Sequence, residues 1–367
     1  MPVLIPADKL RGFVREIVAA GGSRDDEAQE VARHLVEANL KGHDSHGVGM
    51  IPTYVKNLQA GLLVPNARLE AIREAGPIGI FDGGAGYGQV IARDAVAWAM
   101  ARAREGGLGL FALRNTHHVG RVGTYGEQAA EAGLVSIFFV NVLIVPGRVA
   151  PFGGMAGRFG TDPICITFPG TDRLPPFVLD FATSRVAAGK VRVALNEGKA
   201  LPHGWIIDAA GNDSTNPATF FGRAPAEGGG ALLPFGEHKG SGLALACELL
   251  AGVLAGAGTM KDGLPNRGVQ NGMFAIVIDP ERFADRAWLA SEMESIVAWV
   301  KSSPPRPGTD QVLVAGEPER ISMARRLADG IPIDNNTWNE LLAAARAVGV
   351  AAERLNHYAG SGAARVT

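Results

Sequence analysis

Gly42-His43-Asp44-Ser45-His46-Gly47 sets two imidazoles, a carboxylate and a hydroxyl between two glycines. The segment interrupts a helical pattern. Upstream, residues 28–39 carry apolar side chains at helical spacing, and Ser23 with Asp26 has the form of a capping box at the start of that helix. Downstream, residues 53–60 predict a further helix ending near Gly61. The first seventy residues therefore read as helical, with one glycine-flanked break.

The character changes from about Gly76. Runs rich in Ile, Val and Phe at 78–81, 109–113, 135–140, 164–168 and 178–179 predict buried strands, and 274–278 one more. Residues 89–104 and 124–132 predict helices between them. The stretch 242–256 is apolar almost all round, which predicts a buried helix. Helical patterns return at 288–300, 319–327 and 338–348, with a Pro-rich linker at 302–308. Glycines cluster at 83–88, 151–160, 227–230 and 240–242, as at tight turns or close approaches of backbone to a ligand.

Composition narrows the function. A chain of 367 residues can bury a large core, as two intertwined domains. Its net charge of −2 provides no basic field for nucleic acid or an anionic membrane. No apolar run approaches the ~20 residues of a membrane helix, and the N-terminus lacks the pattern of a signal peptide. Cys165 and Cys247 sit far apart in apolar segments. They read as free thiols of a reducing, cytoplasmic compartment.

Strands alternating with helices raise the possibility of a Rossmann fold, whose fingerprint is G-x-G-x-x-G after a strand. No G-x-G in this chain has glycine three residues after its second glycine, and no phosphate-binding G-x-x-x-x-G-K-[ST] occurs. A dinucleotide would have to bind by another fold.

The remaining signal is histidine. Four of eight fall in two clusters, at 43 and 46 and at 117 and 118. Three readings stay open on the residues alone. The first is structural hydrogen bonding. The second is metal ligation, with His43 and His46 joined by His117 or His118, although no HExxH accompanies them. The third is acid–base catalysis, which imidazole suits because it titrates near neutral pH. A serine hydrolase is disfavoured, since no G-x-S-x-G elbow exists.

At these clusters the chain resembles the malate/L-lactate dehydrogenase family, a non-Rossmann group that includes sulfolactate, ureidoglycolate and diketogulonate dehydrogenases and piperideine-carboxylate reductase. The markers run in order through GHDSHG at 42–47 with Tyr54, YGQ at 87–89, HHVGR at 117–121, APFGG at 150–154 and FGTDP at 159–163. They continue through LDFATS at 179–184, GK at 189–190, PHGW at 202–205, FGEHKG at 235–240, NGMF at 271–274, AGEPE at 315–319 and GIPI at 330–333. Gly-Met-Ile-Pro at 49–52 and EHKG at 237–240 point to a branch that reduces 2-oxo acids, aromatic ones included.

The resemblance implies a mixed α/β fold: a largely antiparallel sheet layered with helices, joined to a helical domain built from both chain ends. Residues 1–75 and 283–367 would form the helical domain, and 76–282 the cofactor-binding domain. It implies NAD or NADP as cofactor, a small 2-hydroxy or 2-oxo acid as substrate, and a homodimer. His46 would exchange the proton at the substrate oxygen and lie against the nicotinamide, supported by Ser45. Gly120, Arg121 and Val122 would contact the cofactor, with backbone amides available to phosphate. Val178, Leu179, Asp180, Phe181 and Ala182 would line it, and His238, Asn271, Gly316, Glu317, Pro318 and Glu319 would complete its site. Met50, Tyr54, His118 and Lys190 would face the substrate. No metal is required.

Three positions depart from the family pattern. Many members carry an Arg at Met50 that pairs with the substrate carboxylate, a bond Met cannot make. The carboxylate would then meet Arg121, Arg148, Lys190, Lys239 or backbone amides, and the apolar Met50 would suit a bulky or aromatic side chain. Asp162 replaces a common Asn. Lys190 stands near a position where one branch has an acidic residue supporting the Ser–His pair. The resulting expectation is an NAD(P)-dependent 2-hydroxyacid dehydrogenase. A reductase of cyclic 2-imino acids is the alternative within the same chemistry, and a metal-dependent hydrolase or lyase the alternative outside it.

Overall fold

The computed structural model describes residues 2–221 and 229–351. Parts of two assignments, the glycine cluster beginning at 227 and the chain from 352 to 367, lie outside the described residues. The chain begins with strand β1 (Val3–Ile5) and helices α1 (Ala7–Ala20), α2 (Asp25–Leu40) and α3 (Ile51–Gln59). Then follow β2 (Glu70–Ala75), β3 (Ile78–Asp82), α4 (Gly88–Gly106), β4 (Leu108–His117), α5 (Gly123–Glu131), β5 (Val135–Leu143), β6 (Ile164–Phe168) and β7 (Phe177–Phe181).

A smaller lobe comes next, from α6 (Ala188–Glu197), β8 (Ile206–Ile207), β9 (Asp213–Ser214), α7 (Ala218–Phe221) and β10 (Ala231–Leu232). The remainder is α8 (His238–Cys247), β11 (Gln270–Ile278), α9 (Arg286–Lys301), α10 (Glu317–Asp329), β12 (Ile331–Ile333) and α11 (Asn335–Ala347).

The central sheet has seven strands in the order β2-β3-β4-β11-β5-β6-β7. Only β3 and β4 pair in parallel. The fold is thus the mixed, largely antiparallel α/β arrangement expected. Alternate residues of β5 and β11, such as Phe138, Val140, Met273, Ala275 and Val277, bury one face against α4 and α5. The inner face of α4 is alanine-rich (Ala92, Ala95, Ala99, Ala103), so the helix lies close to the sheet. A Cβ on Gly109 would sit 2.1 Å from the Ala99 carbonyl oxygen.

A second core unites the chain ends. Leu10, Phe13, Leu35, Ile51 and Tyr54 pack with Trp338 and Leu341, and β1 pairs antiparallel with β12. This two-stranded sheet was not foreseen in a region read as helical. The hairpin from Glu70 to Asp82 belongs to the central sheet, so position 75 falls inside a paired unit.

Two local expectations need correction. The capping box does not form: α2 starts at Asp25 with no side-chain cap, and Ser23 instead donates to the Glu27 carboxylate at 2.6 Å. Glu27 prefers Ser23 and the Asn66 amide, which fasten the loop before β2 onto α2. The apolar stretch 242–256 is not buried all round. Helix α8 continues as a π-helical segment, Glu248–Leu254, that covers the sheet with Ala244, Cys247 and Ala251. Its opposite face exposes Leu245, Leu249, Val253 and Leu254, the last at 63%.

Candidate active site

The glycine-flanked break folds as two consecutive 3-10 turns, Asp44–His46 and Val48–Met50. Asn39 on α2 fixes both, accepting from the Val48 amide (2.8 Å) and donating to the Asp44 carboxylate (2.6 Å). Arg326 on α10 grips the same carboxylate with both Nη atoms, at 2.6 and 2.9 Å. Gly47 is required by contact: a Cβ there would lie 2.2 Å from Asn39 Oδ1.

This clamp presents Ser45 and His46. Ser45 Oγ lies 3.0 Å from His46 Nδ1. A hydroxyl can donate to that nitrogen or accept from it. Burial, reinforced by the neighbouring His43, lowers His46 to a pKa of about 4, with Asp180 opposing. The imidazole is therefore neutral at neutral pH.

The His118 ring stacks on it, with centroids 5.6 Å apart and planes 18° from parallel. Gln89 Nε2 donates to the Tyr54 hydroxyl (2.7 Å), which has its own proton left for His118 Nδ1 (2.7 Å). His118 consequently carries its proton on Nε2. Burial holds it far below the ordinary histidine range, so it stays a neutral donor. His117 points elsewhere: Asn57 Nδ2 donates to its Nε2 at 2.8 Å. His43 pairs with Glu319 at 3.1 Å. Of the four clustered histidines, His46 and His118 therefore come together while His43 and His117 turn to other partners. Among the described residues, no three His, Cys, Asp or Glu side chains are placed to hold a metal ion.

Of the residues expected at a cofactor, Arg121 and Asp180 act electrostatically on His46, and Glu319 pairs with its neighbour His43. The Arg121 guanidinium, 1% exposed, pairs with Glu127 at 2.9 Å and faces Asp180 at 3.8 Å; Asp180 accepts from the Gly123 amide at 2.7 Å. The Val178 amide reaches the Ala315 carbonyl, beside Gly316 in a left-handed conformation (φ +90°) at the start of α10. Glu319 meets His43. Gly120 (φ +75°) packs on His34, where a Cβ would lie 2.4 Å from Nε2.

One detail differs from expectation. The Arg121 amide is not available to a phosphate, because it donates to His34 Nε2 at 3.0 Å. The amides of Gly120 and Val122 have no acceptor among the described residues. Asn271 acts one step back, accepting from the Val119 amide and donating to the Asn141 carbonyl. His238 opens α8, exposed, with its ring edge-on to Phe152.

The departing positions now have surroundings. Met50 is half-buried and packs on the helical core. Arg121 is buried and ion-paired with Glu127 and Asp180, and its Nε has no hydrogen-bond partner. Lys190 is exposed, while Gly189 beside it abuts Ser45: a Cβ there would lie 2.5 Å from Ser45 Cβ. Asp162 is fully buried. Its Oδ1 accepts from the Val142 amide at 2.9 Å and its Oδ2 has no partner. Burial and the nearby Glu248 push its pKa far above the carboxylate range. A neutral acid of this kind has the shape of the Asn it replaces. Gln89 and Asn57, which order His118 and His117, and His34, which holds the Arg121 amide, were missed as functional residues. Only the YGQ and HHVGR markers hinted at them.

Fold and site together bring a neutral, serine-paired histidine against His118, which directly follows β4 of the mixed sheet. Residues 5–342 match the malate/L-lactate dehydrogenase family. Hydroxycarboxylate dehydrogenase B of Escherichia coli (strain K12) is 41% identical over 355 residues, covering 96% of both chains. Among solved structures, malate dehydrogenase from Pyrococcus horikoshii OT3 aligns with TM-score 0.82 at 32% identity, covering 95% of this chain and 97% of the other. Sulfolactate dehydrogenase from Methanocaldococcus jannaschii aligns with TM-score 0.82 at 31% identity, covering 95% and 98%. The chain belongs to the malate/L-lactate dehydrogenase family.

Proposed function

We propose that this protein interconverts a 2-hydroxycarboxylate and a 2-oxo acid with NAD or NADP, using His46 as the proton carrier. The observation that carries this reading is the Ser45–His46 pair, 3.0 Å apart, holding a neutral imidazole on which Arg121 and Asp180 act electrostatically. The residues expected at a cofactor suit a dinucleotide. The unpaired amides of Gly120 and Val122 are donors for a phosphate, and Gly120 and Gly316 leave room for close approach. When bound, the nicotinamide exchanges the C2 hydride.

The chain's own residues handle the proton. In oxidation, Nδ1–H of His46 donates to Ser45, which leaves the Nε2 lone pair for the substrate hydroxyl proton. In reduction, the imidazolium returns that proton to the carbonyl oxygen. Such general acid–base assistance is worth about 10²–10⁴-fold. His118, with Nε2–H fixed as a donor, serves the substrate's oxygen atoms from the adjoining stacked position. Half-buried Met50 favours a substrate with an apolar or aromatic side chain.

A panel of 2-oxo acids from pyruvate to hydroxyphenylpyruvate, assayed with NADH and NADPH, tests the reading. His46→Asn is expected to lower turnover of the best substrate at least 100-fold while nucleotide binding persists. Turnover within a few-fold of wild type would refute the role of His46. Reduction of a cyclic 2-imino acid alone would transfer the chemistry to that substrate class. Loss of activity on metal chelation would favour the metal-dependent rival.

The reading extends to a homodimer. Leu249, Val253 and Leu254 after α8, with Phe283, Trp288 and Trp299 around α9, are large apolar side chains exposed to solvent. Such surfaces commonly mark subunit contacts. Light scattering on a sizing column tests this extension. Among the described residues no helix is long and apolar enough to cross a membrane.

A further inference from the structure

The small lobe beside the site holds two guanidinium groups without a counter-charge among the described residues. Arg148 lies over the Phe220 ring at 5.7 Å, and Arg192 over the Phe221 ring at 5.8 Å. The two rings meet edge to face, 4.8 Å between centroids, and so form one aromatic shelf carrying both cations. Among the described residues neither guanidinium has a carboxylate or hydrogen-bonding partner. Several other buried or half-buried arginines are paired: Arg121 with Glu127, Arg33 with Glu30 and Glu37, Arg326 with Asp44.

Arg148 is half-buried, and burial together with the Arg192 charge lowers its pKa. Two like charges held together at a partly desolvated position repel, and an anion between them removes the penalty. The planar fork of arginine fits carboxylate, sulfonate and phosphate oxygens. Cation–π contact keeps both side chains in place while their N–H groups stay open to a ligand.

The shelf adjoins the acid–base pair. Arg192 stands three residues after Gly189 on α6, hence on the same side of that helix. Gly189 is the residue packed against Ser45. Relatives of this chain are dehydrogenases of malate and sulfolactate, both of which carry a second anionic group.

We propose that Arg148 and Arg192 form an anion-binding site at the edge of the active site, taking a carboxylate, sulfonate or phosphate group distinct from the reacting centre. The group belongs either to the far end of the substrate or to the cofactor. The proposal rests on the dehydrogenase reading only for the identity of the anion, and its test separates the two.

The test compares wild type with Arg148→Gln, Arg192→Gln and the double variant. Arg192 is exposed, so its variant retains the fold, and melting in anion-free buffer checks the other two. Malonate and inorganic phosphate are expected to raise the Tm of wild type and to lose most of that effect in the double variant. This readout needs no turnover, so it stands even if no 2-oxo acid is reduced.

Kinetics then assign the source. A drop of tenfold or more in the preference for oxaloacetate over pyruvate places the substrate's second anion on the shelf. A tenfold rise in the Kd of NADH or NADPH, with that preference kept, places a cofactor phosphate there. Equal thermal shifts in wild type and double variant, with neither preference nor nucleotide affinity changed, would overturn the proposal.

Discussion

The His46 and His118 rings are stacked 5.6 Å apart, yet only one of them has its proton fixed in place. Gln89 and Tyr54 commit His118 to the Nε2–H tautomer. Ser45 can accept from or donate to His46, so that ring is free to exchange tautomers. A donor of constant identity thus lies beside a group able to gain and lose a proton.

Tyr54→Phe removes the link. It leaves Gln89 Nε2 and His118 Nδ1 unpaired in a buried setting, at a cost of about 1–3 kcal/mol. The expected result is a lower Tm and a loss on the order of tenfold in kcat/KM for the 2-oxo acid. Adding Gln89→Leu is expected to cost less than the sum of the two single changes, because one orphaned donor disappears. Denaturant melts of the four-member cycle measure this.

Acid is expected to destabilise the fold before it touches most carboxylates. His46 and His117 titrate at about 4 in the native state, and His34 and His118 lie far below the ordinary 6.5. Between pH 6.5 and 4 the unfolded chain binds protons that the native chain does not. Stability is therefore complete above 6.5 and declines as pH falls toward 4. Fully buried His117 alone accounts for something on the order of 3 kcal/mol. Urea midpoints that stay level from pH 7 to pH 4.5 would refute this.

The same shift shapes kinetics. With His46 neutral in the free enzyme, kcat/KM for oxidation is expected to be level from about pH 5.5 to 8. For reduction, which needs the imidazolium, it falls by about tenfold per pH unit over that range. Initial rates in both directions at fixed ionic strength provide the check.

Gly189→Ala separates packing from stability. The added Cβ would meet Ser45 Cβ at 2.5 Å, so α6 or the serine must move. Alanine favours the helix itself by up to ~1 kcal/mol. The expected outcome is a turnover loss on the order of tenfold or more with little change in Tm. Unaltered turnover would show that the contact relaxes without disturbing His46.

Asp162→Asn is expected to stabilise the protein. The native carboxyl stays protonated well above 3.8, whereas the unfolded one ionises. Stability is thereby lost as pH rises past 3.8, at up to ~1.4 kcal/mol per pH unit until the native pKa is reached. The amide removes this penalty, so the gain in Tm should be larger at pH 8 than at pH 5. A gain independent of pH would show that Asp162 is ionised in the folded state.

Much of the architecture was legible in the residues because it is local. Period-two burial marks β5, and the alanine-rich face of α4 marks a helix lying close to a sheet. The misses share a cause. Strand β1 is three residues long and makes sense only once β12, more than three hundred residues away, is paired with it. The apolar face of 242–256 looks the same in sequence whether it meets the core or solvent.

The site divides in the same way. Sequence by itself determined the chemical inventory: a serine next to a histidine, a second histidine pair, glycines where a side chain would collide, and Met50 in place of a charge. Tertiary structure decided the work of each. It turned His117 and His43 away from His46, engaged Arg121 with two carboxylates, aimed Tyr54 at His118, and left Arg148 and Arg192 without a carboxylate partner among the described residues. Hydrogen bonds and ion pairs act over about 3–4 Å, and only folding brings residues 46 and 118, or 148 and 192, within reach of one another's fields.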